Sequence, residues 1–141
     1  MNLEMNCIYA IDTNILVYAF DSHDMQKHTI AKNILIQTFM GKRELVVTTQ
    51  CLAEFSVVVR KKIGLPLKKE DVQKILSSIK SNIYWHIIPY SSEHILKANN
   101  YDCHFWDSLL AETIKKYNYV LLTENESDFK HKGILTKNPF K

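Results

Sequence analysis

The sequence predicts an α/β fold built around a central parallel sheet. Four short stretches, Cys7–Ile11, Leu45–Thr49, Tyr84–Ile88 and Tyr119–Thr123, are nearly continuous apolar runs rather than alternating ones. That is the pattern of strands covered on both faces. Between them the apolar spacing changes to the helical period, so strands and helices alternate along the chain. Glycine and proline number three each in 141 residues, which predicts regular elements with short connections and no linker, repeat or low-complexity tract.

Each element has its own signal. Cys7–Ile11 is followed by Asp12, a residue suited to capping a helix that starts near Thr13. Met25–Phe39 carries Ile30, Ala31, Ile34, Leu35 and Phe39 at helical spacing. After the strand Leu45–Thr49, Gln50–Ile63 places Leu52, Phe55, Val59 and Ile63 on one stripe, and Gly64 and Pro66 mark its end. Lys68–Ile83 repeats the pattern through Val72, Ile75, Leu76, Ile79 and Ile83, with Glu70 and Asp71 favourably placed in its first turn. Ser91–Tyr101 and Asp107–Tyr117 complete the helices. The length is that of one domain, residues 1–141, because two halves would each have a thin core.

Composition excludes several classes. Apolar residues make up 46% and charged residues 23%, enough apolar side chain to oppose disorder. The longest apolar runs, such as Val57–Val59 and Tyr119–Leu122, are too short to span a bilayer, so no membrane association is expected. The opening residues lack a basic stretch, an apolar run and a cleavage site in series, which makes the cytoplasm the expected location. Cys7, Cys51 and Cys103 form no C-x-x-C pair and read as small buried hydrophobes. The six histidines show no metal-ligand spacing. Net charge is +3, with a balance of −2 over residues 1–59 and +5 over residues 60–141. Basic clusters at Arg60–Lys62, Lys68–Lys69, Lys115–Lys116 and Lys130–Lys132 read as solvated helix ends and loops that a polyanion could also use.

The acids fall in informative places. In parallel α/β sheets, ligands bind beyond the carboxyl ends of the strands. Asp12 is the first residue after the first strand. Glu54 lies in the first turns of the helix after the second, and Asn125 and Asp128 lie just past the fourth. Asp107 begins a helix within the apolar string from His104 to Ala111. A parallel sheet therefore brings Asp12, Glu54 and Asp128 toward one edge, and Asp107 joins them if its helix starts there. Such a cluster is unfavourable through repulsion and desolvation unless a cation resolves it. Oxygen ligands without a Cys/His set favour Mg²⁺ or Mn²⁺ over Zn²⁺. Each acid also has a plainer reading. Asp12 reads equally as a helix cap, Asp107 alone as an N-cap, Asp128 as loop surface, and Glu54 as pointing to solvent beside Lys61. Asp21, Asp24, Asp102, Glu124 and Glu126 read as solvated or capping residues. Trp85 and Trp106 read as core or core-edge rather than as platforms for stacked bases.

Taken in order, these segments resemble the PIN-domain family. CIYAIDTNILVYA (Cys7–Ala19) resembles its opening strand and D-T-N motif, and Leu52-Ala53-Glu54-Phe55 its second motif. Phe105-Trp106-Asp107-Ser108-Leu109-Leu110-Ala111 is similar to its third, W-D-A-L-I-x-A. LLTENESDF (Leu121–Phe129) and Asn138-Pro139-Phe140 are similar to its fourth motif and C-terminal strand. The nearest group is the VapC-like toxin ribonucleases of toxin–antitoxin pairs. The resemblance implies a three-layer α/β/α sandwich and a Mg²⁺- or Mn²⁺-dependent endoribonuclease that cuts RNA, often tRNA or rRNA. It further implies a cognate antitoxin that enters the acidic groove, and a homodimer. By position, Asp12, Glu54 and Asp107 take the core acidic roles as metal ligands and catalytic groups, supported by Thr13, Asn14 and Thr123. Many relatives have T-E-D where this chain has Thr123-Glu124-Asn125. Asn125 is then a neutral oxygen ligand, and Asp128 supplies the charge at a second metal position. That departure leaves a rival open, a non-catalytic PIN-fold module that binds RNA or protein through a weakened metal site. An aspartyl-phosphate phosphatase is disfavoured, because its second acid would stand where the chain has Asn14.

Overall fold

A computed structural model describes residues 3–102 and 104–141; Cys103 lies outside the described residues. The chain forms an α/β/α sandwich on one five-stranded parallel sheet, ordered β3-β2-β1-β4-β5. The strands are β1 (Tyr9–Ile11), β2 (Leu45–Thr48), β3 (Trp85–Ile88), β4 (Val120–Leu122) and β5 (Thr136–Lys137). The helices flanking them are α1 (Thr13–Tyr18), α2 (Met25–Phe39), α3 (Thr49–Lys61), α4 (Lys69–Ser81), α5 (Ser92–Ala98) and α6 (Phe105–Lys115), with a 3₁₀ turn at Glu126–Phe129.

The apolar runs become strands because burial on both faces rewards them. β1 and β2 are buried at every residue, and Ile11, Leu45 and Leu121 are completely enclosed with Ile15, Leu16, Phe55 and Leu110 from the helices. Helix starts follow their caps. Asp24 accepts from the Lys27 N–H at 3.1 Å to open α2. Thr48 accepts from the Cys51 N–H at 3.2 Å to open α3. Ser91 and His94 form a reciprocal box at α5. Gly41 ends α2 at φ +75°, where an added Cβ would meet the Tyr84 ring at 2.7 Å.

The order of the strands decides where a site belongs. The chain runs outward from β1 through β2 to β3 on one side, then returns to build β4 and β5 on the other. Its direction thus reverses between β1 and β4, and a crevice opens beyond the carboxyl ends of strands at such a point. Ile11 pairs with Leu122 in register. The residues that follow, Asp12 and Thr123, are therefore neighbours by construction.

Several boundaries differ from the sequence reading. α6 starts at Phe105, so Asp107 sits in its first turn and is not its cap. His104 adopts the left-handed region (φ 54°), and its carbonyl accepts from the Ser108 N–H at 2.9 Å, which turns the chain into a helix early. α5 stops at Ala98, short of Tyr101. β5 is Thr136–Lys137, just before Asn138-Pro139-Phe140, because the Asn138 side chain accepts from the Phe140 N–H at 2.9 Å and closes a turn. Cys51 is buried as expected, but Cys7 is only partly so, its Sγ donating to Glu4 Oε2 at 2.9 Å. Trp85 is core at 5% exposed, whereas Trp106 is 58% exposed.

Candidate functional site

Asp12 leaves β1 with its backbone still bonded to the sheet, its N–H donating to Leu122 O at 2.9 Å. Its side chain caps α1, Oδ1 accepting from the Thr13 N–H at 2.7 Å. Oδ2 accepts from Thr123 Oγ1 at 2.8 Å. The two sequence readings, cap and site residue, are thus one geometry. Thr123 is fully buried at the end of β4, and its hydroxyl also accepts from the Asn125 N–H at 3.0 Å. One side chain therefore fixes both the carboxylate of Asp12 and the start of the loop that carries Asn125.

Glu54 lies one turn after Gln50 on α3 and turns toward Thr13 and the pocket rather than to open solvent. Its Oε1 accepts from Thr13 Oγ1 and from Gln50 Nε2, each at 3.2 Å. Gln50 Nε2 also reaches Trp106 O at 2.8 Å, joining α3 to the first turn of α6. Asp12, Thr13, Asn14, Glu54, Asp107 and Asn125 all line one pocket of about 360 Å³, with Gln50 and Lys62.

The electrostatics match this convergence. Burial pushes the Asp12 carboxyl up from 3.8 to about 6 against the pull of its hydrogen bonds to Thr123 and Thr13, and the charges of Asp107 and Glu54 push the same way. Burial also raises Asp107, followed by the charge of Asp128 and then that of Glu54, while Lys132 and His104 oppose the rise. The charges of Asp107 and Glu54 thus reach Asp12, and those of Asp128 and Glu54 reach Asp107, across distant parts of the chain.

A family model described as the PIN domain matches residues 9–135. The chain belongs to the PIN-domain family. No curated protein sequence matches it. Among solved structures it is similar to VapBC2 from Rickettsia felis bound to a DNA fragment from their promoter, at 23% identity over 93% of this chain and 98% of that one, with a TM-score of 0.63. It is also similar to a toxin–antitoxin complex from Klebsiella pneumoniae (20% identity, 93% and 97% covered, TM-score 0.62). FitAcB from Neisseria gonorrhoeae is a further structural relative (14% identity, 94% and 98% covered, TM-score 0.63). At these identities the likeness is one of fold.

The PIN-domain pocket suits a hard cation in its chemistry. Its donors are carboxylate and amide oxygens, and Asn14 Oδ1 is a buried acceptor with no hydrogen-bond partner. An oxygen in that state is costly unless a donor or cation meets it. In spacing, no three Asp, Glu, His or Cys side chains among the described residues are gathered closely enough to hold an ion as they stand. Hydrogen bonds to Thr13, Thr123 and Gln50 hold the carboxylates instead, so taking up an ion requires some of them to turn.

Other acids distribute as follows. Asp128 is partly buried in the 3₁₀ turn and does not line the pocket, and Asn125 is exposed at its rim. Asp24 caps α2, and Asp21 accepts loop N–H groups of His23 and Gly64. Glu124, read from sequence as solvated, is instead held by an ion pair with Lys27 and a 2.7 Å hydrogen bond from Tyr18.

Two residues escape the sequence reading. Gln50 is one; its signal is the i, i+4 spacing to Glu54 on a helix that begins at a strand end. Lys132 is the other. It reads as part of a solvated basic cluster, yet it is 7% exposed, and its ammonium donates to Asp128 O at 2.5 Å. No local signal separates it from Lys130.

Proposed function

We propose that this PIN domain is a metal-dependent endoribonuclease, the toxin of a toxin–antitoxin pair, acting in the cytoplasm as a homodimer. One observation carries the reading. Asp12, Glu54 and Asp107, remote in sequence, line a single pocket at the point where the sheet reverses direction, and Asp12 is raised to about 6 there. The fold of solved relatives described as toxin–antitoxin assemblies supports the biological role.

In this reading Asp12 and Asp107 would hold the principal Mg²⁺ or Mn²⁺, and Glu54 would be a further ligand or orient water. Asn125 at the rim would serve a second position that Asp128 biases by its charge from the 3₁₀ turn. When bound, such an ion lowers the pKa of coordinated water and offsets charge on the phosphodiester. The chain supplies positioning. Thr123 and Thr13 fix the Asp12 carboxylate, Gln50 and Thr13 fix Glu54, and Lys62 on the pocket wall offers a cation to the RNA backbone. A cognate antitoxin would silence the site by placing a basic group among the carboxylates.

The test is cleavage of total RNA. The wild type should cut with Mg²⁺ and lose activity in EDTA. Asp12→Asn and Asp107→Asn should each slow cleavage by about 10²-fold or more, the loss of several kcal/mol of charge stabilisation. Equal cleavage by all three proteins removes these acids from the mechanism. The spread of the carboxylates favours one alternative, a non-catalytic module that binds RNA or protein. Calorimetry with Mg²⁺ separates the two, since the nuclease takes up the ion and loses that uptake in Asp12→Asn.

A further inference from the structure

Beside the acidic pocket lies a second and larger groove of about 820 Å³. Its lining includes Ala53 and Val57 on α3, Tyr90 after β3, and Trp106 on the first turn of α6. It is mainly apolar, yet open to water. Trp106 lies 58% exposed in it although neighbouring helix positions such as Ser108 and Leu109 are enclosed. A contiguous apolar groove holding an exposed aromatic, unlike a lone surface hydrophobe, is the kind of surface that binding sites use.

The groove is continuous with the site. It shares Gln50, Glu54, Val58 and Lys62 with the carboxylate pocket. Trp106 directly precedes Asp107, and Gln50 ties Trp106 O and Glu54 Oε1 to one amide. Phe105 braces the indole in an edge contact, with ring centroids 5.4 Å apart. The indole is therefore held at a fixed offset from the carboxylates.

We propose that this groove seats an unpaired nucleobase of the RNA strand, stacked on Trp106 with Tyr90 opposite, next to the phosphate presented to the acids. The proposal rests on the nuclease reading and names the side chains that hold the base beside the phosphate. The chemistry selects this occupant. A strand whose phosphate enters an acidic pocket brings a flat, uncharged base within a few ångströms of it, and an aromatic face is what holds such a base. Lys62 lies at the junction of the two cavities, where the linking phosphate would pass. A base inside a duplex offers no open face, so helical RNA is excluded.

Trp106 itself reports the outcome. The other tryptophan, Trp85, is buried against Phe39 and does not line the groove. Short single-stranded oligoadenylate added in EDTA, where the proposed chemistry is off, should quench indole fluorescence. A duplex of the same length and an abasic strand should not. Because either substitution also removes the reporting indole, affinity is then read by anisotropy of a labelled strand: Trp106→Ala should weaken it about tenfold, the range for one stacked base, while Trp106→Phe retains most of the affinity. Circular dichroism confirms folding, which an exposed side chain should not disturb.

Equal affinity of wild type and Trp106→Ala overturns the proposal, as does a quench that the abasic strand matches. Quenching by an amphipathic helical peptide and not by oligoadenylate also overturns it and makes the groove a protein-docking surface. A wild type that cuts RNA with Mg²⁺ while Trp106 is indifferent sinks this inference alone. A wild type that neither cuts nor quenches sinks the nuclease reading with it.

Discussion

Asp12 and Asp107 line the same pocket and both face the charge of Glu54, but their surroundings answer that repulsion differently. Asp12 is held by neutral donors, the Thr123 hydroxyl and the Thr13 N–H, both within 2.8 Å. Asp107 is set against charges, with Asp128 raising it and the buried Lys132 and exposed His104 lowering it. Neutral hydrogen bonds fix a carboxylate's direction and leave its charge uncompensated, so Asp12 stays raised to about 6 despite two of them. A buried ammonium compensates charge and orients less. The Asp12 side therefore stores the larger electrostatic strain, the kind an added cation relieves.

The largest consequence is a pH dependence with an unusual sign. Between the unfolded value near 3.8 and the folded value of about 6, native Asp12 keeps a proton that the unfolded chain has released. Native protein then binds more protons than unfolded protein, so stability falls as pH rises through this window and levels above it. Asp107 shifts in the same direction and adds to the slope. The full cost from Asp12 is on the order of 2–3 kcal/mol. Asp12→Asn should thus make the metal-free chain more stable at pH 7 by on the order of 2 kcal/mol and flatten the dependence between about pH 4 and 6. Mg²⁺ should raise the denaturation midpoint of the wild type at pH 7 and leave that of the variant unchanged. Urea titrations at several pH values read all of these. A wild type with no slope would mean that the Asp12 carboxylate is solvated and that the two acids are alike.

Thr123→Val sharpens the comparison from the hydrogen-bonding side. It removes the donor to Asp12 and the acceptor for the Asn125 N–H while keeping the shape of the buried side chain. The expected loss is about 2 kcal/mol at pH 7, since Asp12 keeps only its bond from the Thr13 N–H and the Asn125 N–H loses its acceptor. Part of that loss should vanish as pH falls through about 6, below which native Asp12 is protonated and the deleted bond no longer stabilises a charge. A loss independent of pH would assign the whole role of Thr123 to its loop.

How much of this the sequence discloses depends on the range over which each feature is set. The apolar runs became the four predicted strands, because burial on both faces leaves no other pattern. Asp12 and Glu54 were legible because strand ends in a parallel sheet fall on one edge, whereas Thr123 was reached only through the family resemblance. The helix carrying Asp107 began earlier than the sequence suggests, since the left-handed turn at His104 leaves no mark in residue type. Glu124 looked solvated because its partners, Lys27 and Tyr18, come from far along the chain. Trp106 looked like core for the same reason that any tryptophan does, and only the neighbouring helix and loop decide that its face stays open. Lys132 lies between a histidine and a glycine in an apparently solvated run, and its burial follows from how the 3₁₀ turn packs beside α6.

Lys132 also gives the finest test of the charged half. Removing it leaves Asp107 facing Asp128 without the ammonium, so Lys132→Met should destabilise the chain at pH 7. Replacing the acid as well, in Asp107→Asn/Lys132→Met, should recover part of that loss, for a coupling of about 1 kcal/mol in a double-mutant cycle. The remainder belongs to the bond from Lys132 to the Asp128 carbonyl, which the cycle does not touch. Because the ammonium is buried, the coupling should change little when salt is raised. Zero coupling would mean that Lys132 only pins the 3₁₀ turn. Asp107 would then owe its state to burial and to the charges of Asp128, His104 and Glu54, and the contrast with Asp12 would lose its buried cation.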